Sequence, residues 1–334
     1  MRCPIARRGI LFGTRDTDQD GAWNPGQQLA APARKAYHVT RLHRVAVMVR
    51  VRANTSRRSS RRTSRNRFRI SLVRQIKLLL FDIDGTLTGP DGRGHSARLL
   101  PLMQQLMGRG VRIGVVTGRD MLSARVVHRL FNLNGPIIGE NGAEILLRPG
   151  EAESSPRVCG GLSPSHFTEL VQKIGKRGFF KYLSIDREKK RMITLYPRIP
   201  PQHKPETLPA WSRRVAAALR NTLAGLEITY SSAAIDICAR GTNKAKGIRL
   251  ACQFLRTAPR AVAFVGDSNN DQAAFAFVRR HNGWIAFVGT DQAVRRSLQD
   301  YPRAFVSQHR ASDGSAEFMQ FLLDHSSILS AARK

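Results

Sequence analysis

The sequence predicts a doubly wound α/β sheet with an α+β block inserted into it, behind a strongly basic N-terminal stretch. Three observations carry this. From Ile76 onward, short and nearly continuous apolar runs alternate with amphipathic stretches, the pattern of buried parallel strands and their crossover helices. Several apolar runs end in small and polar residues, as strands do when they leave a sheet edge. Between about residues 157 and 240 the alternation stops and strand-like segments come in pairs.

The run IKLLLFDI (76–83) predicts the first strand, and RLLPLMQQLMGRG (98–110) a helix that stops at a glycine. VRIGVV (111–116) is the next strand, DMLSARVVHRLF (120–131) the next helix and PIIG (136–139) a short third strand. The inserted block opens with a helix over 163–178, Ser at its start and Gly at its end. FFKYLSID (179–186) and RMITLYP (191–197) read as two strands joined by the polar turn REKK, the tip of a solvated hairpin. A proline-rich loop (197–209), a helix over 211–225 and a strand pair, LEITY (226–230) with AIDICA (234–239), complete the block. The main series resumes with AVAFVG (261–266), a helix from about Asn270 to Arg280, WIAFVG (284–289), a helix at 291–299 and AFV (304–306). The expected domains are therefore 76–156 with 241–325 as core and 157–240 as insert.

The formal charge of +31 points first to nucleic acid. Its distribution weakens that reading. Residues 1–77 carry a net +16, and no acid stands between Arg34 and Phe81, whereas 78–334 carry +15 over a much longer stretch. RANTSRRSSRRTSRNRFR (52–69) repels itself and has little to bury, so 1–75 are expected to be disordered. Such a tail suits binding of RNA, DNA or anionic lipid, or a transit-like presequence. A third reading, upstream sequence outside the working protein, is the favoured one. No apolar stretch approaches the roughly 18 residues of a membrane helix. Four scattered cysteines exclude a zinc ribbon or disulfide scaffold and suit a reducing, cytoplasmic setting.

Four motifs, each at or just beyond a predicted strand end or helix start, carry the chemistry. FDIDGTLTG (81–89) places Asp82 and Asp84 where ligands bind in open α/β sheets. One carboxylate can serve as nucleophile, and the other can protonate a leaving group and then activate water. VVTGR (115–119) brings Thr117 and Gly118 beside them, a hydroxyl and backbone N–H groups for phosphate oxygens. GTNKAKG (241–247) supplies Lys244 and Lys246, either able to neutralise the nucleophile and a phosphoryl group. GDSNND (266–271) adds Asp267, Asn270 and Asp271, and carboxylates clustered with Asp82 suit a hard cation such as Mg²⁺. Taken singly, each could be a turn or helix cap; four in this order could not.

This order, DxDGT, TGR, Lys before Gly and GDxxND, resembles the haloacid-dehalogenase superfamily of phosphohydrolases over residues 76–325. The large insert and GENGAEI (139–145) resemble its sugar-phosphatase branch. The resemblance implies a Rossmann-like core with an α/β cap. It also implies an Mg²⁺-dependent phosphatase acting on a small phosphorylated metabolite, a sugar phosphate first among them, through an aspartyl phosphate. By position, Asp82 becomes the nucleophile and Asp84 the general acid/base, its backbone carbonyl also facing the metal. Asp267 becomes a metal ligand, with Asp271 a second ligand or a support behind it. Thr117 and Gly118 would bind phosphate, and Asn141 and Asn270 its substrate side. Between the lysines, Lys246 is preferred as the catalytic cation because Lys246-Gly247 leads an apolar helix, with Lys244 an additional phosphate contact.

The cap would supply the leaving-group contacts, the candidates being Lys181, Tyr182, Arg187, Lys189, Lys190, Arg191 and His203. A phosphomutase is the nearest enzymatic alternative, although its usual Gly-Gly before Asn-Asp is missing from GDSNND. A basic nucleic-acid-binding protein on the same fold is the alternative from another class; the intact carboxylate set argues against it. The expected partners are a small metabolite and no membrane, in a monomer or homodimer.

Overall fold

The computed structural model describes residues 75–90, 92–147, 155–181, 183–198, 208–230 and 234–327, and the expectations for the basic tail lie outside them. Strand β1 (Leu78–Phe81) stands at the centre of an eight-stranded sheet. All four of its residues are buried: Leu79 and Phe81 face one apolar cluster, Leu78 and Leu80 another. Side chains alternate between the two faces of a strand, and here both faces are covered, so the run reads as continuously apolar.

On one side of β1 lies β2 (Arg112–Val116), then β3 (Ile137–Gly139), with α1 (Leu99–Gly108) and α2 (Met121–Leu130) as crossovers. Two antiparallel strands, β4 (Glu144–Leu146) and β5 (Arg157–Val158), extend that edge. The apolar pattern does not predict them, and they leave 157–158 in the large sheet rather than in the insert. On the other side lie β10 (Val262–Gly266), β11 (Trp284–Phe287) and β12 (Ala304–Val306), all parallel.

Between β5 and β10 comes a four-stranded antiparallel sheet. Its strands β6 (Leu183–Ile185), β7 (Ile193–Pro197), β8 (Leu226–Tyr230) and β9 (Ile235–Ala239) lie in the order β6-β7-β9-β8. Helices α3 (Pro164–Lys176) and α4 (Leu208–Thr222) pack on it through Leu170, Ile174, Ala216 and Leu219, a core of its own. The first strand is shorter than expected. Gly178, at a φ of +73°, ends the turn after α3, and Phe179–Lys181 coil into a 3-10 turn. Phe179 and Phe180 thereby pack on the cap core instead of pairing in the sheet.

Beyond the insert run α5 (Lys244–Phe254), α6 (Gln272–Arg280), α7 (Gln292–Leu298) and α8 (Ala311–Ser327). The last has no counterpart among the expected elements. It places Phe318, Met319 and Leu322 against the β1 face that α1 also covers.

Candidate active site

In register, Phe81 lies level with Val115 of β2 and Val265 of β10. The residues just beyond, Asp82, Thr117 and Asp267, therefore emerge together at the carboxyl edge. Strand order reverses around β1, which opens a crevice there.

Asp82 is buried, and one of its oxygens, Oδ1, accepts the Ile83 N–H at 2.8 Å. The other lies 2.7 Å from Lys244 Nζ, which also sits 2.7 Å from Asp271 Oδ1. Lys244 is itself only 1% exposed, a cation desolvated between two carboxylates. Its charge is held firmly: desolvation pulls its pKa down, but Asp271 and Asp82 outweigh that and leave it above the ordinary lysine value.

Lys246 does not reach Asp82, which corrects the preference between the two lysines. Asn243 caps α5 by accepting the Lys246 backbone N–H at 3.1 Å, so Lys244 is the first helical residue and Lys246 the third. Two residues at about 100° each turn Lys246 to the other side of the helix. Its ammonium lies beside Gly160 and Thr242. Gly247 serves close packing, since a Cβ there would come within 2.9 Å of the Gly142 Cα.

Asp267 approaches from β10, with its Oδ1 3.3 Å from the Thr86 hydroxyl. Gly85 permits this: its φ is +69°, and a Cβ there would fall 2.6 Å from Asp267 Oδ2. Ligand oxygens of Asp82, Asp267 and Asp271 lie within 4.8 Å of one another. Burial, with the neighbouring carboxylates added, pushes Asp82 up to about 7 and Asp267 to about 8. Crowded hard oxygens of this kind fit a small divalent cation, which would relieve their repulsion. Asp271 is the least free of the three. Its Oδ2 accepts the N–H groups of Asp267 and Ser268 at 3.0 and 3.2 Å, and its Oδ1 holds Lys244. Asn270 sits in the same 3-10 turn, its Oδ1 accepting the Ser268 hydroxyl.

Thr117 is fully buried, and its Oγ1 accepts the Arg119 N–H. Arg119 reaches back to Asp84, donating from Nε to Oδ2 at 2.9 Å and from a terminal nitrogen to Oδ1. The Asp84 carboxylate in turn raises the guanidinium pKa. Arg119 is a site residue that the motifs did not single out; its place directly after Thr-Gly was the available signal.

The cap meets the core here as well. Glu140, buried and at a φ of +44°, accepts three consecutive cap amides, Lys190 at 3.0 Å, Arg191 at 2.6 Å and Met192 at 3.0 Å. The turn expected to be a solvated tip is docked, although Arg187, Glu188 and Lys190 keep exposed side chains. Lys189 is buried, with its ammonium 2.6 Å from Thr194 Oγ1, which donates to Asp236 Oδ1 at 2.6 Å. Asn141 donates from Nδ2 to Asp236 Oδ2 at 3.1 Å. Asp236 was not among the expected site residues, yet an acid inside the apolar strand AIDICA was its signal. Tyr182 and His203 lie outside the described residues.

Comparison with known proteins matches these features. The family model described as sucrose-6F-phosphate phosphohydrolase covers residues 75–322. A protein named phosphoglycolate phosphatase from Methanopyrus kandleri is 25% identical over 58% of this chain and 78% of its own. A haloacid dehalogenase-like hydrolase from Bacteroides thetaiotaomicron superposes with a TM-score of 0.53 at 15% identity, covering 74% of this chain and 99% of that one. Sucrose-phosphatase from Synechocystis, solved with sucrose and phosphate, superposes with a TM-score of 0.52 at 18% identity, covering 74% and 98%. With its central sheet, its carboxylate edge and the full span of the family match in agreement, the chain belongs to the sucrose-6F-phosphate phosphohydrolase family, phosphatases of the haloacid-dehalogenase superfamily.

Proposed function

We propose that the protein removes phosphate from a small phosphorylated metabolite, a sugar phosphate, through a phosphorylated Asp82, with Mg²⁺ as cofactor. The observation that carries this is Lys244 locked between Asp82 and Asp271 at the carboxyl edge of β1. A carboxylate so placed keeps a cation beside it throughout the transfer, where negative charge accumulates. Asp82 attacks phosphorus, and the bond to the leaving-group oxygen breaks as Asp84 gives that oxygen a proton. Asp84 then takes a proton from the water that attacks the acyl phosphate, and the Asp82–phosphorus bond breaks to free phosphate and the carboxylate. Arg119 orients Asp84 for both transfers. Thr117, with its oxygen engaged by the Arg119 N–H, turns its hydroxyl proton toward a phosphate oxygen, and the Gly118 and Asn270 backbone line the same end.

Asp82, Asp267 and the Asp84 carbonyl would hold Mg²⁺, while Asp271 holds Lys244. The ion, when bound, neutralises the carboxylates and polarises the phosphoryl group. Asn141 and the cap residues face the leaving group. The names of relatives such as that from Methanopyrus kandleri favour a second reading, phosphoglycolate as substrate. Among the described residues no helix is long and apolar enough to cross a membrane, and Cys159, Cys238 and Cys252 are free thiols. We accordingly place the enzyme in the cytoplasm, as a monomer or homodimer.

The test is phosphate release from a panel of sugar phosphates, 2-phosphoglycolate and p-nitrophenyl phosphate, with Mg²⁺ and with chelator. Mg²⁺-dependent turnover that Asp82→Asn abolishes is expected. Release from none of them, or release indifferent to chelator, overturns the reading.

A further inference from the structure

We propose that Asn141 and Asp236 form, over Gly118, a subsite that accepts a hydroxyl of the leaving group and disfavours a carboxylate there. This rests on the phosphatase reading above and deepens it. A Cβ built on Gly118 would lie 3.4 Å from Asn141 Oδ1 and 3.4 Å from Asp236 Oδ2. Two acceptor oxygens, one from the core and one from the cap, thus converge on one point beside the Thr117–Arg119 loop.

The orientation of the amide is fixed by its neighbour. Asn141 Nδ2 donates to Asp236 Oδ2; the flipped amide would set oxygen against carboxylate. Asn141 Oδ1 is therefore turned away from Asp236, and it is buried with no hydrogen-bond partner. The residue is 5% exposed and sits at φ 53°, ψ 35°, a left-handed conformation that few residues other than glycine adopt. An unsatisfied acceptor in a strained, buried position is a site awaiting a donor. Asp236 has capacity left as well: it accepts from Thr194 and Asn141, and a carboxylate offers about four lone-pair positions.

The cations brought to this cleft are already matched. Lys244 faces Asp82 and Asp271, and Arg119 faces Asp84. Lys189 lies 3.9 Å from both Asp186 and Asp236. A carboxylate entering the subsite would meet two acceptors, one of them charged, whereas a hydroxyl would donate to either. Specificity of this kind is strong, because the wrong group leaves buried polar atoms unpaired. The subsite therefore separates hydroxyl-rich leaving groups from that of phosphoglycolate.

The experiment is steady-state kinetics of the full chain, at saturating Mg²⁺, on three probes. These are the best of glucose, fructose and mannose 6-phosphates, then 2-phosphoglycolate, and p-nitrophenyl phosphate, which carries neither group. The hexose phosphate should exceed phosphoglycolate in kcat/KM by at least about tenfold. Gly118→Ala fills the point of convergence and removes neither acceptor, and Asp236→Asn replaces the charged one. Each should lower kcat/KM for the hexose phosphate at least about tenfold more than for the aryl phosphate. Thermal unfolding of both variants, within a few degrees of the parent, keeps a folding defect apart from a lost subsite; Gly118→Ala alone decides if Asp236→Asn unfolds. Preference for phosphoglycolate, or equal losses on hexose and aryl phosphates, overturns the subsite while leaving the phosphatase reading standing. Failure to hydrolyse any of the probes overturns that reading, and the subsite with it.

Discussion

Lys244 is held by two carboxylates in a site from which water is excluded, and its removal has two separable effects. Lys244→Ala leaves Asp82 and Asp271 facing each other unpaired, a loss on the order of 3–5 kcal/mol of stability for a broken buried pair. It also removes the cation beside the transferring group, for a fall in kcat of roughly a hundred- to thousandfold. Lys246→Ala should alter kcat by less than about threefold, since a solvated side chain is screened; Mg²⁺-saturated kinetics on both variants checks the ranking. The raised carboxyls set a pH dependence. Asp82 and Asp267 titrate near 7 and 8 when folded against an ordinary value of 3.8. Between those limits the unfolded chain has already released protons that the folded one retains, so stability falls as pH rises. In chelator, Tm should therefore be highest near pH 4–5 and decline toward pH 8. Mg²⁺ should flatten that decline, because it binds the ionised, folded cluster. A chelated Tm that climbs over this range would contradict the crowding of the cluster.

At the scale of elements, the segment after β3 joins two functions. Glu140 clamps the cap through the Lys190–Met192 amides, and the next residue, Asn141, reaches Asp236 of β9. Glu140→Ala would strand three amides together, with an expected loss on the order of 3 kcal/mol in urea unfolding and faster hydrogen exchange over 189–192. Glu140→Gln, which keeps an acceptor, should lose less. The same segment marks where a sequence stops being legible. β1, β2, β10 and their motifs were legible because a short, continuous apolar run that breaks off at Asp or Thr is what a buried strand with a polar end must look like. β4 and β5 were not: three- and two-residue strands carry no periodicity, and their place depends on pairing with β3. The choice between Lys244 and Lys246 failed for a related reason. It turned on the Asn243 cap, which fixes the phase of α5, whereas a motif gives only the order of residues. Glu140 was invisible because its partners are backbone amides, which every sequence possesses.

For the whole molecule, the family match begins at residue 75 and the first described strand at Leu78. A chain starting at Gln75 should retain Mg²⁺-dependent phosphatase activity within about threefold of the full chain, measured side by side; loss of activity would assign the tail a part in the fold. The opposite end is not dispensable. Near the start of α8, the Ser315 hydroxyl donates to the Thr86 carbonyl at 2.7 Å, and the Ser312 N–H to the Thr88 carbonyl at 3.2 Å. The turn that carries Asp82 and Asp84 is thus braced by residues more than 220 positions later. Synthesis proceeds from the N-terminus, so the ribosome makes the reactive carboxylates early and their brace almost last. Until α8 emerges, a nascent chain holds every reactive group in sequence and none in working geometry. The enzyme is switched on by its own completion, and a message cut short within the last helix would yield a protein that keeps every signature residue yet is inert.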